Sequence, residues 1–294
     1  MSVSFGIKTS QMGLSYEEIR RVWLEADGIP EFEHAWLWDH LIPLRGDANA
    51  AALEAWTLLA ALAAQTQRLK VGVIVTSNQI RRPAVLAKMA ATVDQVAGGR
   101  LVFGIGAGYG RTGDPEVTAI AEREYGAYGI EVISVGTAIS KLSEALQICR
   151  RMWTEVEPFD FAGDHYQLTG AICEPKPVQR PTPPVLIGAG GLRRSLRLVA
   201  EHADIWNCPT RGDAEEFRQK SAVLDDHCAA VGRDPAEITR QVQVLVRADD
   251  PDAARREVGA HLDAGAQQIV LALLPPWPPE PAHWLAAEVV ADLR

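Results

Sequence analysis

Short apolar runs alternate with stretches whose apolar residues recur every three or four positions along nearly the whole chain. Residues 4–7 form the first short run, and an amphipathic segment follows at about 16–26. Ser15 is suited to accept hydrogen bonds from the first turn of that helix, and Glu17 and Glu18 suit its positive end. Residues 35–38 predict a second strand. Residues 53–67 predict a helix with Leu53, Trp56, Leu59, Ala60 and Ala63 on one face. The β-branched run 69–75 predicts a third strand. Pro83 then opens a helix at its first turn, where its missing N–H costs nothing. A fourth strand is predicted at 101–105 and a long helix at 137–153. Four more strands, at 184–187, 204–206, 241–246 and 268–273, are each followed by a helical stretch, at about 192–202, 214–231, 252–264 and 282–293.

Two segments break the alternation. Residues 108–136 are rich in glycine and charge and predict a lid or insertion, with at most a short helix around 117–125. Residues 155–184 carry Pro175, Pro177, Pro181, Pro183 and Pro184, which exclude a helix; a small hairpin is expected at 159–168 around Gly163. Strands alternating with helices imply a parallel sheet. Eight such units closed on themselves make an α/β (β/α)8 TIM barrel, ordinarily about 250 residues long. The surplus lies in the two irregular segments, expected as insertions at the C-terminal face. Residues 1–294 read as one domain, with a doubly wound open sheet as the alternative.

Composition narrows the class. At 47% hydrophobic and 23% charged residues, the 294-residue chain can bury a sizeable core. No apolar run approaches the roughly 20 residues of a membrane helix, and the N-terminus has no basic start or long apolar stretch. Cys149, Cys173, Cys208 and Cys228 show neither metal-knuckle nor redox-pair spacing and read as reduced thiols of a cytoplasmic protein. A net charge of −9 argues against general nucleic-acid binding.

Candidate chemistry collects at the strand ends, where barrel enzymes do their work. Trp36-Leu37-Trp38-Asp39-His40 ends the second strand. Its imidazole can exchange a proton near neutral pH, and the Asp39 carboxylate beside it can orient or charge the ring. Thr76, Ser77 and Asn78 follow the third strand and are suited to donate to a bound ring system. Gly106, Ala107 and Gly108, followed by Tyr109, let a flat ligand or its phosphate approach the backbone after the fourth. Gly188, Ala189, Gly190 and Gly191 precede a helix, whose start attracts anions, and Arg193 and Arg194 add positive charge nearby. The bland alternatives are a cap with a surface histidine, polar strand ends and flexible turns. Trp36, Trp38, Trp56, Trp153 and Trp206 read as core, while Trp277 either overhangs the site or packs on the last helix. No His-x-His marks the first strand, no acid–histidine cluster has metal spacing, and neither a Gly-x-Ser-x-Gly elbow nor a phosphate loop is present.

Several segments together resemble the luciferase-like monooxygenase superfamily, in its coenzyme F420-dependent branch. They are 36–40, 54–63, 82–94, Gly98-Gly99-Arg100 with 104–108, 174–179 with 184–188, and 203–207, so the resemblance covers roughly residues 1–250. It implies a barrel, usually dimeric, that binds a flavin or coenzyme F420 at the C-terminal mouth. Asp39 and His40 are then expected near the reactive ring, and Thr76 with Gly106–Gly108 along the ring and its ribityl chain. Gly188–Gly191 are expected on the phosphate, and a non-proline cis peptide near Val73-Ile74 against one ring face. Two departures argue against sugar-phosphate oxidation. The Glu that follows the glycine motif in the branch's sugar-phosphate dehydrogenase is Tyr109 here, and a pocket Trp four residues after the histidine is Leu44. An Arg that many relatives carry near Ala138 is also missing. The resulting expectation is an F420-dependent oxidoreductase that moves a hydride between the deazaflavin C5 and a small organic substrate. His40 would be the proton donor or acceptor, oriented or charged by Asp39, and Tyr109 a second candidate for contacting the substrate. Segments 108–136 and 275–281 would cover the site. An FMN-dependent monooxygenase of the same fold and a non-catalytic flavin-binding barrel are the alternatives. A homodimer with no membrane, nucleic-acid or metal partner is expected.

Overall fold

The computed structural model describes residues 3–44, 47 and 49–293. All eight predicted strands form. They are β1 (Ser4–Lys8), β2 (Phe32–Leu37), β3 (Lys70–Val73) with its short continuation β4 (Thr76–Ser77), β5 (Leu101–Gly106), β8 (Val185–Gly188), β9 (Ile205–Cys208), β10 (Thr239–Val246) and β11 (Gln268–Leu273). Each pairs in parallel with its neighbours in the order β3-β2-β1-β11-β10-β9-β8-β5, and a β3–β5 pairing closes the ring. The closed eight-stranded (β/α)8 barrel is the expected fold; the open-sheet alternative is overturned. The second irregular segment supplies the expected hairpin, β6 (Phe159–Ala162) and β7 (Gln167–Ala171), which pair antiparallel.

The helices follow their caps. Ser15 closes a capping box on α1 (Tyr16–Asp27), its N–H donating to the Glu18 carboxylate at 2.8 Å. The Glu54 carboxylate caps α2 (Ala55–Ala63) and sets its start two residues later than the apolar periodicity predicts; the helix also ends earlier, at Ala63. Pro83 opens α3 (Pro83–Val96). The first irregular segment holds a 13-residue helix, α4 (Pro115–Ala127), longer than expected because Asp114 and Pro115 start it. The remaining helices are α5 (Val135–Thr154), α6 (Arg194–His202), α7 (Ala214–Val231), α8 (Pro251–Asp263) and α9 (Pro281–Leu285), the last continued by irregular turns. No helix among the described residues is long and apolar enough to cross a membrane.

Two apolar layers result from strand alternation. One lies between the barrel and its helices and holds Phe5, Ile7, Leu37, Trp56, Phe103 and Trp206. The other fills the barrel: Trp36, Ile74, Val102, Leu186, Ile205 and Val270. The large Trp36 fits because Gly72 faces it; a Cβ there would sit 2.5 Å from the Val102 carbonyl oxygen and 2.7 Å from Trp36. Gly6 yields likewise to His34, whose Nδ1 accepts from the Trp36 indole N–H at 2.6 Å. Burial, with Lys70 adding to it, lowers the His34 pKa to about 3.

Candidate active site at the barrel mouth

A cavity of about 610 Å³ opens where the strands end, a size that suits a cofactor or drug-sized ligand. It gathers the predicted Asp39, His40, Ile74, Gly106, Ala107, Gly108, Tyr109, Gly188, Ala189, Gly190 and Gly191 around one space. Leu44, the position that departs from the Trp pattern, lines it too. Val73, Thr76 and Asn78 do not. Ile74 and Val75 both face the cavity, so the in–out alternation slips by one there. Ser77 is thereby turned in and Thr76 and Asn78 are turned out, while Val73, before the slip, faces the outer core by ordinary alternation. The Thr76 hydroxyl accepts from the Trp56 indole at 3.2 Å, and the Asn78 amide reaches the Tyr166 hydroxyl at 3.4 Å. The cis peptide lies at Ile74-Val75, one residue beyond the expected position. The proline-rich loop 275–281 is absent from the cavity wall among the described residues, and Trp277 donates its indole N–H to the Leu273 carbonyl instead.

The imidazole's partner differs from the sequence expectation. His40 Nδ1 lies 3.1 and 3.2 Å from the two carboxylate oxygens of Glu124, on α4. A carboxylate only accepts, so Nδ1 carries the proton and Nε2 is the nitrogen left for chemistry. Glu124 is 1% exposed, and its Oε1 also accepts from the Leu41 N–H at 2.7 Å. Tyr109 lies beside the imidazole, with ring centroids 5.6 Å apart.

Asp39 serves elsewhere. Its carboxylate takes both arms of the Arg81 guanidinium, at 2.7 and 2.9 Å, and the Ser77 N–H at 2.9 Å. Burial pushes the Asp39 carboxyl up, against the lowering pull of Arg81 and Ser77. Arg81 also pairs with Glu54, the cap of α2. Asp39 therefore ties β2 to the chain after β4 and does not orient His40.

The helix α4 is anchored to three strand ends. Arg123 donates to the Leu44 carbonyl at 2.9 Å, beside the Glu124–Leu41 bond, and both hold the loop after β2. The Tyr125 hydroxyl meets Ser77 Oγ at 2.7 Å and accepts from the Tyr109 N–H at 3.0 Å. Burial pushes its pKa up to about 12, so it stays a neutral hydroxyl.

The glycines make a cradle. Cβ atoms at Gly106 and Gly188 would lie 2.8 and 2.9 Å from the Val75 methyls, so only glycine there leaves Val75 room to stand up from the floor. Gly108 has φ +78° and no room for a side chain against Ser77 Oγ, 2.4 Å from a Cβ. On the far side, Gly190 and Gly191 lead to the start of α6, where the Ser195 hydroxyl donates to the Gly191 carbonyl at 2.7 Å. Arg193 and Arg194 are exposed and do not line the cavity.

The polar end opposite this cradle was not singled out from sequence. Lys8, at the end of β1, sets its ammonium 4.9 Å from the Trp38 ring centroid and donates to Gln243 Oε1 at 2.6 Å. Its remaining surface opens into the cavity, and burial lowers its pKa to about 8. Neither Glu124 nor Lys8 carries a distinctive local sequence signal: one sits in a charged helical run and the other is a single residue closing a short strand. An interior position on a mouth-facing strand end was the one available signal for Lys8.

Sequence and fold are both similar to those of known proteins. The chain is 30% identical over 226 residues to the pyrimidine monooxygenase RutA of Stutzerimonas stutzeri, covering 76% of this chain and 58% of that protein. It is 31% identical over 235 residues to the F420-dependent glucose-6-phosphate dehydrogenase of Intrasporangium calvum, covering 77% and 65%. The chain thus spans less than two thirds of the length of these relatives. An F420-dependent secondary alcohol dehydrogenase, solved with an F420-acetone adduct, superposes with a TM-score of 0.85 at 19% identity over the whole of both chains. The profile of the luciferase-like monooxygenase family matches residues 5–288, from within β1 to the turns after α9. With all eight barrel strands reached by that match, the chain belongs to the luciferase-like monooxygenase family.

Proposed function

We propose that the chain is a coenzyme F420-dependent oxidoreductase acting on a small organic substrate. The observation that carries this reading is the His40–Glu124 pair facing the same cavity as the glycine cradle. Glycines at Gly106, Gly108 and Gly188 leave backbone and Val75 as the surface a flat tricycle would lie against. Gly190, Gly191 and the start of α6 suit its phosphate. When bound, the deazaflavin accepts or supplies a hydride at C5.

The protein's own task is the proton. In the oxidising direction a substrate alcohol loses its C–H as hydride and its O–H proton to His40 Nε2. Glu124 holds the ring in the one tautomer that can accept it and stabilises the imidazolium that forms. In the reducing direction the same nitrogen returns the proton. Side-by-side fluorescence titration with coenzyme F420 and FMN tests the cofactor, and tight binding of FMN alone would sink the F420 assignment. His40→Ala is expected to keep cofactor affinity while turnover falls about 10²–10⁴-fold. An unchanged steady-state rate would refute the role given to His40, whereas cofactor binding with no turnover on any alcohol, aldehyde or enone would favour a non-catalytic flavin-binding barrel.

Similarity to a pyrimidine monooxygenase favours a second reading, an FMN-dependent monooxygenase at the same mouth. The first reading includes a cytoplasmic homodimer; light scattering on the purified protein checks the dimer, and cell fractionation the location.

A further inference from the structure

Among the described residues, Lys8 is the only lysine or arginine that lines the cavity. Neither carboxylate on the wall is listening for it. Asp39 is taken by Arg81, and Glu124 by His40 and Leu41. The nearest groups are instead an amide and an indole. Lys8 donates to Gln243 Oε1, Gln243 donates to Asn207 Oδ1 at 2.9 Å, Asn207 to Gln241 Oε1 at 3.0 Å, and Gln241 to Gln268 Oε1 at 3.0 Å. An ammonium has no acceptor, so it fixes the direction of the whole row. Every oxygen along it is used, and Gln243 cannot turn over to present its NH₂ to Lys8.

The row satisfies one of the three ammonium protons. The other two have the Trp38 face and the cavity. The Trp38 indole N–H has no hydrogen-bond partner. The ammonium over the Trp38 face and the indole N–H of the same residue thus both keep donor capacity that no acceptor among the described residues takes up. A buried charge left in this state is costly, and an anionic oxygen reaching the ammonium would relieve the cost. The depressed pKa of Lys8 is the same cost expressed as a titration.

We propose that Lys8, with Trp38 beside it, is an anion subsite that binds a carboxylate carried by the substrate. This rests on the mouth being the reaction site, and it narrows the substrate from a small organic molecule to a small organic acid. Lys8 ends β1 and the glycines follow β8, four strands away round the closed ring in either direction, so the molecule's charge is held at the end away from the expected cofactor phosphate.

Isothermal titration of the whole protein with benzoate and with its neutral isostere benzamide tests this without turnover. Wild type is expected to bind benzoate at least tenfold more tightly than benzamide. Lys8→Met should erase the preference, and Lys8→Arg, which keeps the charge, should retain most of it. Equal or undetectable binding of the two probes by wild type, or a preference that survives in Lys8→Met, overturns the proposal. The same variants titrated with coenzyme F420 and FMN separate the two readings. Unchanged cofactor affinity in Lys8→Met is expected; a loss beyond tenfold would assign the ammonium to the cofactor and overturn the substrate claim. A benzoate preference in a protein that binds neither cofactor would uphold the acid subsite and defeat the proposed function instead.

Discussion

His34 makes the barrel sensitive to acid, by an amount that can be worked out. The ring lies inside the barrel at 2% exposure, and its Nδ1 accepts the Trp36 indole N–H, so the native state holds it neutral. Its pKa is about 3, against the ordinary 6.5 of the unfolded chain. The folded value is the lower one, so the stability is fully present above pH 6.5 and is lost as pH falls toward 3. Between about pH 7.5 and about pH 5 the unfolded chain gains nearly one proton at this position and the native state almost none, which costs about 2 kcal/mol. Carried down to pH 3, the loss reaches about 4 kcal/mol, a large share of an ordinary folding free energy. Urea unfolding at the two pH values measures it. His34→Gln keeps an oxygen for the Trp36 indole but does not titrate, so other titrating groups are common to both proteins. Wild type should lose about 2 kcal/mol more than the variant over that interval. Parallel losses would show that the native state protonates His34 freely and that its burial has been misjudged.

Three further outcomes follow from the site and the barrel. Glu124→Gln should lower kcat about 10–100-fold, part of the 10²–10⁴ that a positioned proton carrier supplies, and reshape the pH profile while cofactor affinity holds; an unaltered profile would reduce Glu124 to a structural tie. Gly72→Ala should cost about 1–3 kcal/mol or prevent folding, because the new methyl meets a carbonyl oxygen and Trp36; an unshifted denaturation midpoint would refute the packing described for the barrel interior. Lys8→Met should stabilise the protein at neutral pH by at most about 3 kcal/mol, because the native pKa of about 8 lies below the unfolded 10.5. Wild type should recover that difference as pH rises from 8 to 10.5, and melting curves at pH 7 and 10 that stay parallel would count against the burial of this ammonium.

The barrel was legible because its signals are local. Each strand is a short apolar run, each helix start carries a cap such as Ser15 or a proline such as Pro83, and period counting finds both. The glycine positions at the mouth were legible for the same reason, since strand ends and glycine clusters are contiguous in sequence. What failed was partner choice. Asp39 is adjacent to His40 in sequence, yet successive side chains along an extended chain point apart, and Asp39 turned to Arg81 while His40 found Glu124 eighty-four residues away. Thr76 and Asn78 failed through phase. A one-residue slip between Ile74 and Val75 reverses which side chains face the mouth, and nothing in the local composition marks it.

The origin of Glu124 has a further consequence. The barrel contributes the imidazole, but the group that selects its tautomer arrives on a graft between β5 and α5. The segment is tied to the strand ends through Ser77, Tyr109 and Leu41, so a replacement that keeps those three ties would change the group facing His40 while the eight strands stay the same.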